Sequence, residues 1–147
     1  MRALLIAVMV GSSLSGWASA QQKEAIRLPG VLEGLPFSAA VRVGDLLFLS
    51  GQIGIDFETQ ELVPGGIGPE TRKTMENIRS VLEYVGSSFE SVVKCTVFLV
   101  DMAEWPGMNE VYRTFFASDP PARSAVAGSG LALGARVEIE CIAVVGE

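Results

Sequence analysis

The chain has 147 residues with 11 basic and 17 acidic side chains, so its formal net charge at pH 7 is −6. A surface with this acidic excess repels nucleic-acid phosphates, and we expect no nucleic-acid partner. Histidine is absent, which removes the commonest general base and the commonest metal ligand together. With only two cysteines beside the carboxylates, we expect no metal, no cofactor, and neither a Ser-His-Asp nor a Cys-His mechanism.

The first 20 residues have the pattern of a secretory signal peptide. A basic start at Arg2 precedes an apolar run over 3–10, and Ala18-Ser19-Ala20 suits a small-residue cleavage site. The apolar run is shorter than the roughly 20 residues that a membrane span takes. We therefore expect cleavage, export to a bacterial periplasm, no membrane contact afterwards, and a single domain over residues 21–147.

The first part of that domain predicts a hairpin followed by a helix. Two β-like runs, 38–43 and 46–53, flank Gly44-Asp45, a dipeptide typical of hairpin turns. After a loop over 54–68, apolar residues recur every three or four positions between Pro69 and Gly86. This spacing predicts an amphipathic helix that begins at the proline and stops at the glycine.

The second part predicts a central strand, a second helix and two final strands. Residues 92–100 are apolar at nearly every position, and a second helix with Met108, Val111, Tyr112 and Phe115 on its buried side ends before the prolines at 120 and 121. Strands over 123–127 and 136–145 complete the order ββαβαββ. We expect an α+β fold with one mixed sheet and both helices on one face.

The uncovered face of this sheet predicts an oligomer. Two helices cover only one face, so the other apolar face needs a second copy of the chain. In the last strand, period-two alternation separates 137, 139, 141 and 143 from Glu138, Glu140 and Ile142. If the first set packs against the helices, both glutamates face the subunit interface.

Charged residues in these strands mark a candidate site. Arg123, Glu138 and Glu140 fall in segments that look like buried strand, where an unpaired charge costs several kcal/mol. Arg123 can hold a substrate carboxylate by two parallel hydrogen bonds, or it can neutralise Glu138 or Glu140 structurally in the subunit interface. Glu138 can exchange protons with water or serve only as an arginine partner. For Glu140 we expect a structural role.

The two cysteines, Cys95 and Cys141, both fall in apolar β-like runs. Buried free thiols behave there as small apolar residues, and a bridge between adjacent strands within a sheet requires strained geometry. We therefore expect two free thiols, while the oxidising compartment implied by export keeps a disulfide as the alternative.

Four segments together resemble the RidA/YjgF/YER057c/UK114 family of reactive-intermediate deaminases. They are Leu49-Ser50-Gly51-Gln52-Ile53, Asn109-(x)2-Tyr112-(x)2-Phe115-Phe116, Pro121-Ala122-Arg123-Ser124-Ala125-Val126 and Val137-Glu138-Ile139. The resemblance spans nearly all of residues 34–147. It implies a chorismate-mutase-like fold, a homotrimer with a cleft at each interface, and hydrolysis of 2-imino or enamine acids to 2-keto acids and ammonia.

The resemblance also implies roles for individual residues. Arg123 is the carboxylate anchor and Glu138 activates or orients water. The substrate-binding residues it implies are Phe37, Ser50, Gly51, Asn109 and Ala125. For Ser50 and Asn109, ordinary turn and helix-cap chemistry is the alternative.

Two positions depart from the usual family pattern. Phe37 stands where many members have tyrosine, which removes a hydroxyl donor, and Ala125 stands where many have cysteine, which excludes thiol chemistry there. These departures and the export signal leave a second function open, a trimeric small-carboxylate-binding or chaperone-like protein that uses the same cleft without catalysis. The ribonuclease activity attached to some relatives is disfavoured by the acidic charge and the missing histidine.

Overall fold

One mixed sheet of seven strands carries two α-helices on a single face. The structure, a computed structural model, describes residues 22–29 and 34–145; the predicted signal peptide lies outside them. The strands are β1 (Lys23–Ile26), β2 (Ala40–Val43), β3 (Leu46–Leu49), β4 (Gln52–Ile53), β5 (Val92–Leu99), β6 (Ala122–Ala127) and β7 (Val137–Val144). The helices are α1 (Ile67–Tyr84) and α2 (Trp105–Tyr112).

The strand order is β1-β2-β3-β7-β5-β6, with β4 also paired to β7. Neighbouring strands are antiparallel except β5 and β6, which are parallel because α2 forms the crossover between them. The predicted α+β architecture is therefore confirmed. The first strand was not predicted, because Lys23–Ile26 has no apolar alternation and only Ile26 is buried.

The predicted strand over 46–53 is divided by a bulge. Phe48 pairs with Ile142 and Gln52 pairs with Ile139, so a four-residue step on one side faces a three-residue step on β7. The extra residue separates β3 from β4 and leaves Ser50 and Gly51 between them. Bulges of this kind redirect side chains near functional sites.

Helix α1 begins two residues earlier than predicted. Gly66, with φ of 88°, is its N-cap, and Pro69 lies inside the first turn. Proline is tolerated there because the first amide groups of a helix have no partner within it. The predicted apolar stripe is confirmed, since Met75, Ile78 and Leu82 are fully buried. Neither α1 nor α2 has the length and apolar character to cross a membrane.

The two faces of the sheet differ in burial, as the alternation of residues in the last strand predicted. Val137, Ile139, Cys141 and Ala143 are at most 2% exposed beneath the helices. The opposite face, which we call the open face, retains large exposed side chains. Cross-strand register assigns to it Phe48 (43% exposed), Leu46 (43%), Val144 (40%) and Val126 (47%), together with Glu138 and Glu140.

The expectation of two free thiols is wrong, because Cys95 and Cys141 form a disulfide. They are directly opposite each other on β5 and β7, and their Cα atoms are 4.1 Å apart. Opposed residues of a non-hydrogen-bonded antiparallel pair approach to about 4.5 Å, which brings the sulfurs together without moving the strands. Both cysteines are buried under the helices.

Candidate functional site

Arg123 lies on strand β6, at the edge of the sheet. In parallel register it is paired with Cys95, so its side chain is on the face covered by the helices. The strand alternates between exposed and half-buried residues, and it is therefore not the buried core strand that we expected. An arginine at this edge can reach α2 while keeping part of its guanidinium accessible.

Three side chains of α2 surround the guanidinium. Asn109 accepts a hydrogen bond through Oδ1 from Arg123 Nη2, at 2.9 Å. The Arg123 carbon Cζ lies 4.6 Å from the ring centre of Tyr112 and 5.7 Å from that of Trp105. The helix-cap alternative for Asn109 is wrong, because the residue lies in the middle of α2 and its side-chain oxygen is bonded to the arginine.

The positive charge of Arg123 has no acidic partner among the described residues. Their ion pairs are Lys73 with Asp56 and Arg136 with Glu104. Within one chain Arg123 does not pair with Glu138 or Glu140, because both glutamates are on the open face. Neutralisation of Arg123 by one of them across a subunit interface stays a prediction. Of its five N–H groups, one donates to Asn109, and the others donate to no described residue.

A cavity of about 300 Å³ adjoins this arginine. Its walls are mainly apolar or aromatic, and they include Tyr112, Phe116 and the two prolines that follow the helix. Ala125, two residues further along β6, is half-buried and packs against the core, but it does not line this cavity. We call Arg123 and Asn109 the arginine half of the site.

Glu138 lies on the open face of β7, opposite Phe98 of β5. Partial burial raises the pKa of Glu138 above its ordinary value, and the neighbouring charge of Glu140 raises it further. Arg123 of the same chain lies on the other face of the sheet and is not a cause of this pKa shift. A raised pKa moves the carboxyl group toward the range in which it exchanges protons near neutrality.

The carboxylate of Glu138 is packed against the backbone at Gly51. A Cβ atom at position 51 would lie 2.8 Å from Glu138 Cδ and closer still to Oε1. Glycine is therefore needed here to admit the glutamate of the same chain. The β3–β4 bulge supplies this gap next to β7.

Ser50 bonds across to the chain segment that precedes β2, and not within a local turn as its alternative interpretation predicted. Its amide donates to Ala39 O at 3.0 Å, and its hydroxyl donates to Ser38 O at 2.7 Å. These bonds tie the bulge to the segment that contains Phe37. The Phe37 side chain is 53% exposed and lines a second cavity of about 300 Å³. The lining of that cavity includes none of Glu138, Gly51 and Ser50. We call these three residues the glutamate half, and the structure does not bring Phe37 together with them.

The structure therefore brings most of the predicted site residues together in two groups that do not meet within one chain. Trp105 and Tyr112 join the arginine half, although the sequence analysis gave Tyr112 a buried position and a place in a family segment but no role in the site. Their spacing from Asn109 was the available signal, because positions 105, 109 and 112 share one helix face. No group of three or more acidic or thiol side chains within 22–29 and 34–145 is arranged to hold a metal ion.

These features define a small α+β protein with a two-part site, in which one part offers a free guanidinium and the other a carboxyl group of raised pKa. The chain belongs to the Endoribonuclease L-PSP family, which matches residues 33–145. The resemblance to RidA proteins found in the sequence is thereby confirmed.

Individual relatives agree with this assignment. The chain is 43% identical over 111 residues to the 2-iminobutanoate/2-iminopropanoate deaminase of Mus musculus, which covers 76% of this chain and 82% of the mouse protein. The crystal structure of RidA from an Antarctic Psychrobacter matches with a TM-score of 0.78 and 35% identity, over 83% of this chain and 99% of that one. The structure of E. coli TdcF with bound serine matches with a TM-score of 0.77 and 31% identity, over 84% of this chain and 99% of the TdcF chain.

Proposed function

We propose that this protein is a hydrolytic deaminase that converts 2-imino acids, and enamine acids after tautomerisation, into 2-keto acids and ammonia. The observation that carries the proposal is the guanidinium of Arg123, which forms no ion pair within residues 22–29 and 34–145 and is held by Asn109 beside a cavity. A 2-imino acid presents a carboxylate next to its C=N carbon. Two parallel N–H donors of Arg123 bind that carboxylate and orient the imine carbon for attack.

Glu138 supplies the proton transfers. As water attacks the imine carbon, its oxygen forms a C–O bond while the C=N electron pair moves to nitrogen. Glu138 accepts a proton from the water and passes it to the nitrogen, which gives the neutral carbinolamine. Glu138 then accepts the hydroxyl proton and passes it to the amino nitrogen as the C–N bond breaks. Ammonia leaves with the C–N electron pair, and the C=O bond of the ketone forms. A carboxyl group with a raised pKa suits both proton transfers.

The two halves of the site meet when a second subunit is present. The open face carries exposed Phe48, Leu46 and Val126, which supports its burial against another copy. Such packing lets the glutamate half of one subunit face the arginine half of its neighbour. The family resemblance indicates three copies, and we propose a homotrimer with one site at each interface.

Imine chemistry suits this chain better than RNA cleavage does. The family description includes the word endoribonuclease. The net charge of −6 opposes binding of a phosphate backbone, and the sequence contains no histidine to act as general acid or base. The names of the mammalian relatives and the serine bound to TdcF both favour a small amino-acid-derived ligand.

A coupled assay tests the deaminase activity. An amino-acid oxidase generates 2-iminopropanoate in situ, and the release of keto acid is followed with wild type, Arg123→Ala and the surface control Arg72→Ala. We expect acceleration by wild type and Arg72→Ala, and its loss in Arg123→Ala. A wild-type rate equal to the spontaneous rate would exclude deamination of this substrate. Keto-acid binding without turnover would favour the carboxylate-binding alternative.

We also propose that the chain is exported to the periplasm. The motif over residues 1–20 suggests a signal peptide, and the Cys95–Cys141 disulfide suits an oxidising compartment. Mass spectrometry of the mature protein from a periplasmic extract tests this proposal. We expect an N-terminus at position 21, and an intact Met1 in the cytoplasmic fraction would contradict it.

A further inference from the structure

We propose that Tyr112 and Trp105 are positioning residues that hold the guanidinium of Arg123 in the orientation needed to bind a substrate carboxylate. The inference rests on the proposed function, since it assigns the carboxylate anchor its supports. Neither aromatic residue needs to touch the substrate. Each acts through the arginine.

The geometry of α2 places three supports around one cation. Positions 105, 109 and 112 lie on one face of the helix, so indole, amide and phenol all point to the same side. The amide fixes one nitrogen of Arg123 by a 2.9 Å hydrogen bond. The two rings, at 4.6 and 5.7 Å from Cζ, attract the cation through their π faces.

The Tyr112 ring is itself held rigidly. It is 4% exposed, and its centre lies 4.9 Å from that of Phe116, which packs edge-on at 5.3 Å against Phe89. A support that cannot move fixes the guanidinium more effectively than a mobile surface residue does. Trp105, at 36% exposure, closes the arrangement from the solvent side.

The rings of Tyr112 and Trp105 attract the guanidinium of Arg123 in place of a carboxylate partner. An acidic residue at this position would hold Arg123 equally well, but it would compete with a substrate carboxylate for the same N–H groups. Aromatic faces hold the cation and leave the edge of the guanidinium available. Arg123 is therefore held at the sheet edge without an ion pair to any described residue of its own chain.

The hydroxyl of Tyr112 takes no part in this role. The hydroxyl oxygen is buried without a hydrogen-bond partner among the described residues, and burial raises the pKa of Tyr112 to about 12. The ring face is therefore the functional feature. Phenylalanine should substitute for tyrosine, whereas an aliphatic residue of similar size should not.

Isothermal titration with 2-oxobutanoate, a stable keto-acid product, measures the anchor independently of turnover. We expect roughly tenfold weaker binding for Tyr112→Leu and a smaller loss for Trp105→Leu, with near wild-type binding for Tyr112→Phe. Tyr84→Leu, on an exposed part of α1, is the matched control. Because Tyr112→Leu removes a core ring and can fail to fold, Trp105→Leu keeps the test decisive.

The uncharged analogue 2-oxobutanamide separates positioning from general damage. Wild type should prefer the carboxylate, and Trp105→Leu should lose this preference while its affinity for the amide stays unchanged. In Tyr112→Leu, which also alters a wall of the cavity, affinity for the carboxylate should fall more than affinity for the amide. Equal weakening for both ligands, or unchanged carboxylate binding in folded Trp105→Leu and Tyr112→Leu, would overturn the inference. Wild type that binds 2-oxobutanoate without deaminating any imine would overturn the proposed reaction and leave the positioning role standing.

Discussion

Arg123 and Glu138 lie on opposite faces of one sheet, with strand β5 between the strands that carry them. Two strand spacings separate β6 from β7, which corresponds to about 10 Å. No change of side-chain rotamer brings the two groups together through a packed sheet. If both act on one substrate, they belong to different subunits.

Subunit complementation follows from this separation. Arg123→Ala and Glu138→Ala should each be inactive, whereas trimers assembled from an equal mixture of the two should regain activity. At each interface an intact site needs Arg123 from one neighbour and Glu138 from the other, so about one quarter of the sites are intact after random assembly. The coupled imine assay on the refolded mixture measures this fraction.

The two variants kept in separate tubes provide the baseline for that experiment. Activity that stays at this baseline after mixing, with trimer formation shown by light scattering, would mean that one chain supplies both groups. A monomeric mass for wild type would contradict the assembly itself.

Gly51 should be required because of Glu138 and not because of the substrate. Alanine at this position overlaps the glutamate carboxylate, which must move. We expect Gly51→Ala to lower the imine hydrolysis rate at least about tenfold, since misplacing a catalytic group by 1 Å has effects of that order. The substitution should lower the free energy of unfolding by only about 1 kcal/mol, because the displaced group is the end of a flexible side chain.

Gly68→Ala is the matched control for this substitution. A methyl group there meets only Val111, at 3.9 Å, and it lies within α1, where alanine is favoured. Its activity should equal that of wild type. Unchanged activity in Gly51→Ala would show that the position of Glu138 does not matter for the reaction.

The sequence predicted well those features that depend on a strict repeat. Alternation along β7 identified its covered and open faces, and the three-to-four spacing identified the buried side of α1. The face of the sheet on which Arg123 lies could not be predicted from a repeat of this kind. Strand β6 consists mostly of small residues, so only its parallel register with β5 determines which face the arginine occupies.

The same limit applies to the other features that were missed. The bulge at Ser50 and Gly51 depends on a one-residue difference in pairing with β7. The disulfide depends on Cys95 and Cys141 being exact cross-strand partners, although 46 positions separate them in the chain. Such relationships arise from register between distant segments, and no local pattern encodes them.

Glu138 should make the stability of the protein depend on pH in a particular direction. Burial and Glu140 raise the pKa of Glu138 in the folded state above its ordinary value of 4.5. The folded state therefore favours the protonated form, and this contribution is lost as the pH rises through the folded-state pKa. Glu138→Gln does not titrate, so it should become more stable than wild type above that pH, by less than about 1 kcal/mol given partial solvent screening.

Urea unfolding between pH 3.5 and pH 8 measures the difference between the two proteins. The excess free energy of unfolding of Glu138→Gln over wild type should be smallest at low pH and reach a plateau toward neutrality. Glu83→Gln, an exposed site on α1, makes the same change of charge and should show little such trend. A Glu138→Gln variant that loses stability as the pH rises would contradict the raised pKa.

The Cys95–Cys141 disulfide should contribute substantially to stability. It closes a loop across 46 positions of the chain, for which loss of unfolded-state entropy corresponds to about 4 kcal/mol. We expect wild type to unfold at clearly lower urea concentration when a phosphine reductant is present throughout. The double variant Cys95→Ala/Cys141→Ala should unfold at the same urea concentration with and without reductant, which separates the cross-link from the lost packing of the sulfur atoms.

Accessibility to reductant distinguishes this buried bridge from a redox switch. Because both cysteines are at most 2% exposed, reductant under native conditions should leave the bond intact, and the bond should react only when urea opens the sheet. Iodoacetamide labelling followed by mass spectrometry measures this directly. Unreduced protein in urea should take up no label, whereas two added groups would show that the thiols are free.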